Sequence, residues 1–235
     1  MIKRRYLTLF LLVLNLHPSR IFAQTTTQYT GWFAIFHKQK IAGNWGYVFD
    51  GQYRTDNQFS NTSAYLLRPG ITYAVTKSQT AGAGYTFFGS YEADNNSRIF
   101  YAENRIWEQY QLETKLGKAT LSNRLRLEQR FINMENGGFS QRLRYYIRNQ
   151  IPLVKVDSAF KKGMYMALQN ELFVNVQHQE RASNNFLDQN RSYISFGYRL
   201  NKKVDAELGY QFIYSKDAEA NMRNNVLQLA IYTDF

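Results

Sequence analysis

Residues 121–131 read LSNRLRLEQRF and residues 141–150 read QRLRYYIRNQ, so arginine alternates with leucine, tyrosine or isoleucine almost residue by residue. Arg124, Arg126, Arg130, Arg142, Arg144 and Arg148 carry a charge that proteins do not titrate away, on a planar fork suited to carboxylate and phosphate oxygens. Such residues can recognise an anion, bind nucleic acid or pair with carboxylates. Arg105, Arg191 and Arg199 fall in similar surroundings, and so do the acids Asp50, Glu103, Glu128, Glu171 and Glu207. Other chemistry is poorly supplied. The chain has no cysteine, which excludes a disulfide framework, a thiolate zinc site and a thiol nucleophile. Past the first 23 residues the only histidines are His37 and His178, too few for a metal ligand set. GAGYTFFG at 82–89 is a weak echo of a phosphate loop with no helix after it, so no cofactor is expected.

The arginines are best placed by their spacing. In 121–131 the odd positions are Leu121, Asn123, Leu125, Leu127, Gln129 and Phe131, whereas the even ones are Ser122, Arg124, Arg126, Glu128 and Arg130. Successive strand side chains point to opposite faces, so one face is apolar and the other charged. A helix would spread the same arginines around its circumference. The alternation recurs at 45–54, 65–75, 164–176, 191–200 and 204–214. Gly82 and Gly84 read as residues that relieve crowding on an inner wall.

The runs number eleven: 28–39, 45–58, 61–76, 79–91, 98–115, 119–132, 139–151, 163–177, 187–200, 203–215 and 222–235. Short connections (IAGN, TKSQ, LGKA, LNKK) roughly alternate with longer ones (YEADNNSR, NMENGG, HQERASNN, KDAEANM), the layout of an up-and-down meander. Single-chain bacterial barrels have even strand numbers. The expectation is therefore ten or twelve strands, with the first run or the long 98–115 run miscounted.

The beginning of the chain differs from the rest. Lys3, Arg4 and Arg5 precede the apolar run YLTLFLLVLNL, and HPSRIFA leads to Ala23, the order of a cleaved secretory signal peptide over residues 1–23. A single domain over 24–235 is expected to remain. The leader holds four cations and no acid, so the mature chain has 25 cations against 18 acids and its net charge falls from +11 to +7. An exported, mildly basic chain with its arginines on strand faces is not expected to bind nucleic acid.

Alternation alone does not say which face looks inward. In a soluble sandwich the leucines form the core; in an outer-membrane barrel they meet lipid and the polar set faces the lumen. Runs of 12–16 residues suit tilted membrane spans. Aromatic residues make up 16% of the chain, and Trp45, Tyr73, Tyr91, Tyr165, Tyr214 and Tyr232 are placed as interfacial girdles. The chain ends VLQLAIYTDF, with Leu227, Leu229, Ile231 and Phe235 in period-two register. A last strand closing on phenylalanine resembles the signal read by the outer-membrane barrel-assembly machinery, with Phe235 as the assembly signal.

The segments LLRPGITY (66–73), ENRIWEQ (103–109), NRLRLEQRF (123–131), RLRYYIRNQIPL (142–153), NELFVN (170–175) and LDQNRSYISFGYRLNKKVDAELGY (187–210) cover most of the mature chain in order. Together they resemble an uncharacterised bacterial outer-membrane β-barrel family, a domain of unknown function. The resemblance implies an all-β, antiparallel transmembrane barrel among outer-membrane lipid and lipopolysaccharide. It implies no activity and no catalytic residue.

With that orientation the nine arginines and five acids named above enter one cavity. Glu108 alone falls on the outer parity, which predicts a bulge or register error in its strand. Two readings of the interior stay open: an Arg–Glu network that braces a packed barrel, or a basic constriction for a small anionic solute. An outer-membrane lipid or lipid A hydrolase is the alternative, built on His178, Glu180 and Ser183 in QHQERASNN, without a GxSxG motif.

Overall fold

The computed structural model describes residues 25–94, 97–134, 137–154, 160–216 and 221–235; the expected signal peptide lies outside them. Eleven strands follow in chain order: β1 (Thr25–Ala42), β2 (Trp45–Thr55), β3 (Thr62–Ala74), β4 (Gln79–Asp94), β5 (Ser97–Leu116), β6 (Ala119–Asn133), β7 (Gly138–Pro152), β8 (Gly163–Gln177), β9 (Leu187–Asn201), β10 (Val204–Ser215) and β11 (Asn221–Asp234). Each pairs antiparallel with its sequence neighbours, and the sheet closes into a barrel through β1 and β11.

The even count is corrected here. Both suspect runs are single strands, and the eleventh strand closes the barrel by pairing in parallel with the first, from Thr25↔Asn221 to Lys38↔Asp234. An odd meander has this consequence by necessity: its first and last strands run the same way. The start of β1 therefore lies at the end that carries the connections 56–61, 178–186 and 216–220, whereas Phe235 lies at the opposite end.

That opposite end holds the tight turns. Ala42 and Trp45, Leu116 and Ala119, and Asn201 and Val204 are each joined by two residues. Gly43 and Gly117 adopt φ of +55° and +59°, the left-handed backbone that two-residue hairpins require. The connection after β7 is longer, from Leu153 to Lys162, and breaks the simple alternation. Most of YEADNNSR is strand: β4 runs to Asp94 and β5 begins at Ser97.

Sequence parity sorts the side chains onto the two surfaces of the sheet. Leu67, Ile71, Leu125, Ile194, Phe196, Leu208, Leu227 and Leu229 are exposed on the outer wall. Arg105, Arg126, Glu128, Arg144, Glu171 and Glu207 are buried inside. The core of this barrel is charged, and its greasy face is its surface.

Three details of parity depart from expectation. β5 keeps an unbroken register with both neighbours through Glu108, which pairs with Ala83 and Leu127, so neither bulge nor slip is present. Glu108 stands exposed on the outer wall, where its Oε2 accepts from Gln129 Nε2 at 3.0 Å. Tyr165 and Tyr232 do not belong to an outer girdle. Tyr165 is fully buried and donates to Glu207, and the Tyr232 ring receives the guanidinium of Arg148 at 5.4 Å. Trp45 and Tyr73 do face outward, edge to face at 5.0 Å near the tight-turn end.

Phe235 follows the last strand. Its N–H donates to Lys38 O at 2.9 Å and its carbonyl accepts from Lys40 N at 2.8 Å, which fixes the C-terminus against β1. Its ring packs against His37 and under the Lys203 ammonium.

Candidate functional site

The nine expected arginines and five expected acids all face the interior of the barrel, and most of them gather around four buried carboxylates, Glu103, Glu128, Glu171 and Glu207. Glu103 lies between two guanidinium forks: Arg105 donates through Nε and Nη2 at 2.7 and 3.0 Å, and Arg130 through the same atoms at 2.6 and 3.1 Å. Glu128, with no exposed surface, accepts from Arg142 Nε and Nη2 at 3.1 and 2.7 Å and from Arg144 Nη1 at 2.5 Å. Glu171 Oε1 accepts from Arg124 Nη2 at 2.9 Å and from Arg144 Nη2 at 2.8 Å, so Arg144 links the second and third clusters.

The fourth cluster lies toward the tight turns. Glu207 accepts from Arg148, from Tyr165 OH at 2.9 Å and from Ser195 Oγ at 2.7 Å. Arg199 is bound side-on by Asp205, at 2.8 and 2.7 Å. Asp50 receives Arg68 Nη1 at 2.6 Å on the other side of the barrel.

Several of these pairs join strands that are not neighbours. Arg124 on β6 reaches Glu171 on β8, Arg142 on β7 reaches Asp188 on β9 at 2.8 Å, and Arg148 on β7 reaches Glu207 on β10. Such links run through the interior, over the inner face of the strands between. Bidentate arginine–carboxylate pairs are the strong form of the contact, and burial removes the competing water.

Aromatic rings fill the space that the ion pairs leave. Phe173, fully buried, lies beneath Arg144 at 4.4 Å, Arg191 at 4.6 Å and Arg142 at 5.1 Å. Trp107 packs under Arg126 at 4.8 Å and donates Nε1–H to Tyr85 O at 3.2 Å. Its ring, through Cζ2 and Cη2, abuts Gly70 and Gly84, where any Cβ would collide with it. Gly84 does the spacing work on the inner wall that its place in the sequence implied, and Gly82 faces Thr72 and Gln109 there.

Arg126 is held by an amide in place of a dedicated carboxylate: Nε and Nη2 donate to Gln109 Oε1 at 3.1 and 2.6 Å, and Glu128 is 4.0 Å away. Arg191 has only Gln189 Oε1, at 2.5 Å, as a hydrogen-bond acceptor among the described residues. Sequence reading missed Arg54, Arg68, Asp188, Asp205 and the inward rings Trp32, Trp107 and Phe173. Parity pointed to Arg54 and Arg68, which share the inward face with Asp50 and Thr72.

The residues of the alternative hydrolase do not assemble. His178 Nδ1 is 3.1 Å from Glu180 Oε1, and its ring meets Phe139 edge-on at 6.2 Å. Hydrogen bonds from its own backbone and from His178 hold the Glu180 carboxyl below the usual range. Ser183 Oγ accepts from Asn175 Nδ2 at 2.9 Å, and among the described residues no hydrogen bond joins it to His178. A nucleophile and its base would have to meet at that distance.

No curated protein and no solved structure matches the chain. One family model does, over residues 29–224, which spans the barrel from β1 into β11. The protein is a member of that family, DUF2490, described as a protein of unknown function.

Proposed function

We propose that the protein is a β-barrel of the bacterial outer membrane, a structural barrel with a narrow, porin-like interior that favours small anions. The observation that carries this reading is the reversal of faces. Leucines, isoleucines and tyrosines cover the outside of a closed sheet, whereas Arg126, Glu128, Arg144 and Glu207 are buried within it. In water that arrangement leaves a very large apolar surface exposed. In a bilayer it satisfies every strand group and places the apolar wall against hydrocarbon.

The outer wall then contacts membrane lipid, and the loop end faces lipopolysaccharide. Tight turns in such barrels lie on the periplasmic side. A C-terminal Phe235 clamped against β1 fits recognition by the barrel-assembly machinery, and the leader at 1–23 fits export.

The interior pairs favour a bore closed to large solutes, and the arginine excess favours anions over cations. Planar-bilayer conductance tests the transport half. Wild type should give a small conductance whose reversal potential shows anion preference, reduced in Arg126→Ala and Arg144→Ala. No anion preference in wild type contradicts it. The membrane half is tested by fractionation and by a gel mobility that shifts on heating; a chain that stays in the soluble fraction contradicts that half.

A further inference from the structure

Two inward arginines lack the carboxylate that every other interior arginine has within 4.0 Å among the described residues: Arg54 on β2 and Arg191 on β9. The nearby acids are already taken. Asp50 is held by Arg68 and by Gln52 Nε2, and Glu171, opposite Arg191 in the register, is held by Arg124 and Arg144. Arg54 donates Nη2–H to Gln52 Oε1 at 2.7 Å, and its buried Nε has no partner among the described residues. Arg191 donates only Nε–H, to Gln189, so both of its terminal nitrogens lack a protein acceptor there.

The two cations share one aromatic plate. The guanidinium carbon of Arg54 lies 3.8 Å from the centroid of Trp32 on β1, and that of Arg191 lies 5.3 Å from the same ring. An aromatic face offsets part of a buried cation's desolvation but supplies no hydrogen-bond acceptor. Two positive groups held this close repel one another in a low-dielectric interior. A ligand carrying negative oxygens would relieve both deficits at once.

We propose that Arg54, Arg191 and Trp32 form a binding site for a small oxyanion with at least two anionic oxygens, phosphate or carboxylate. Arg54 is the penultimate residue of β2 and Arg191 the fifth of β9, so the site lies in the half of the barrel nearer the long connections. The guanidinium forks supply paired N–H donors, and the Trp32 ring lies beside both of them. The site rests on the outer-membrane reading, which makes the loop end the outer face. It is therefore the first arginine pair that an anion entering from outside would meet without displacing an internal ion pair.

Calorimetric titration of the folded barrel in detergent at low ionic strength tests the site, with inorganic phosphate and succinate as separate probes. Wild type should bind at one saturable site, and Arg54→Gln/Arg191→Gln should bind at least tenfold more weakly. Lys118→Gln, at the tight turn between β5 and β6, should bind as wild type does. Phosphate alone or succinate alone binding identifies the oxyanion class; binding of neither by wild type, or equal binding by the double variant, overturns the proposal. If the double variant does not fold, Arg191→Lys keeps the charge and loses the fork, and undiminished affinity there overturns it too. A barrel that enters membranes but binds no oxyanion refutes the site and leaves the outer-membrane reading intact.

Discussion

Arg148 on β7 donates to the carboxylate of Glu207 on β10, through the interior and past two intervening strands. Tyr165, Ser195 and Tyr193 donate to the same carboxylate, at 2.9, 2.7 and 3.4 Å. The barrel is thus held by contacts through its interior as well as by the ladder around its wall. A carboxylate with several donors becomes costly to remove, because the arginines it leaves behind remain charged and buried.

Glu128 should show this most sharply. Glu128→Leu leaves Arg142 and Arg144 short of an acceptor, and breaking a buried pair in this way typically costs about 3–5 kcal/mol. Urea unfolding in lipid vesicles, read as loss of the heat-shifted gel band, should move to lower urea by a corresponding amount. A midpoint equal to wild type would show that the network contributes little.

Trp107 rests on Gly70 and Gly84, so small residues and ring are matched. Gly84→Val should prevent folding, since the new side chain has no room beneath the ring. Trp107→Ala should fold but lose about 3–5 kcal/mol, the usual cost of emptying a large aromatic site. Folding yields in detergent check both expectations.

Glu108 has the opposite environment, exposed on the outer wall beside Ala83 and Leu127. Charged residues on a lipid-facing barrel wall are destabilising, acids less than bases. Glu108→Leu should raise stability in vesicles by roughly 1 kcal/mol. A loss of stability would mean that this wall does not face hydrocarbon.

The strands were legible because period two ran almost unbroken from β1 to β11, and all twelve of the arginines and acids first singled out on β5 to β9 need no more than parity to be placed. Parity also predicted that Glu108 points outward, and the expected bulge came from distrusting it. Strand number failed for a different reason: a rule about other barrels overrode a direct count of runs. Tyr165 and Tyr232 were assigned by residue type to a girdle, although each shares its parity with an inward residue, Ala167 and Ala230. The pairing inside the bore was not legible. Whether Arg191 has a carboxylate depends on how Glu171 is shared by Arg124 and Arg144, which lie on β6 and β7.

The odd strand count can be tested by labelling, because the chain has no cysteine of its own. Single cysteines at Thr26 and Glu180 should react with a membrane-impermeant maleimide on intact cells, and one at Lys203 should react only after the outer membrane is opened. Thr26 reacting with the Lys203 group would contradict the parallel closure of β1 on β11.

The orientation of the two faces is tested most directly by brominated phospholipids, which quench tryptophans in contact with lipid. Trp45 is exposed on the outer wall, whereas Trp32 and Trp107 are buried inside. In vesicles of brominated lipid, a variant keeping only Trp45 should be strongly quenched, and variants keeping only Trp32 or only Trp107 should not. Quenching of the two inner tryptophans with Trp45 unaffected would contradict a barrel whose leucines meet lipid and whose arginines line the bore.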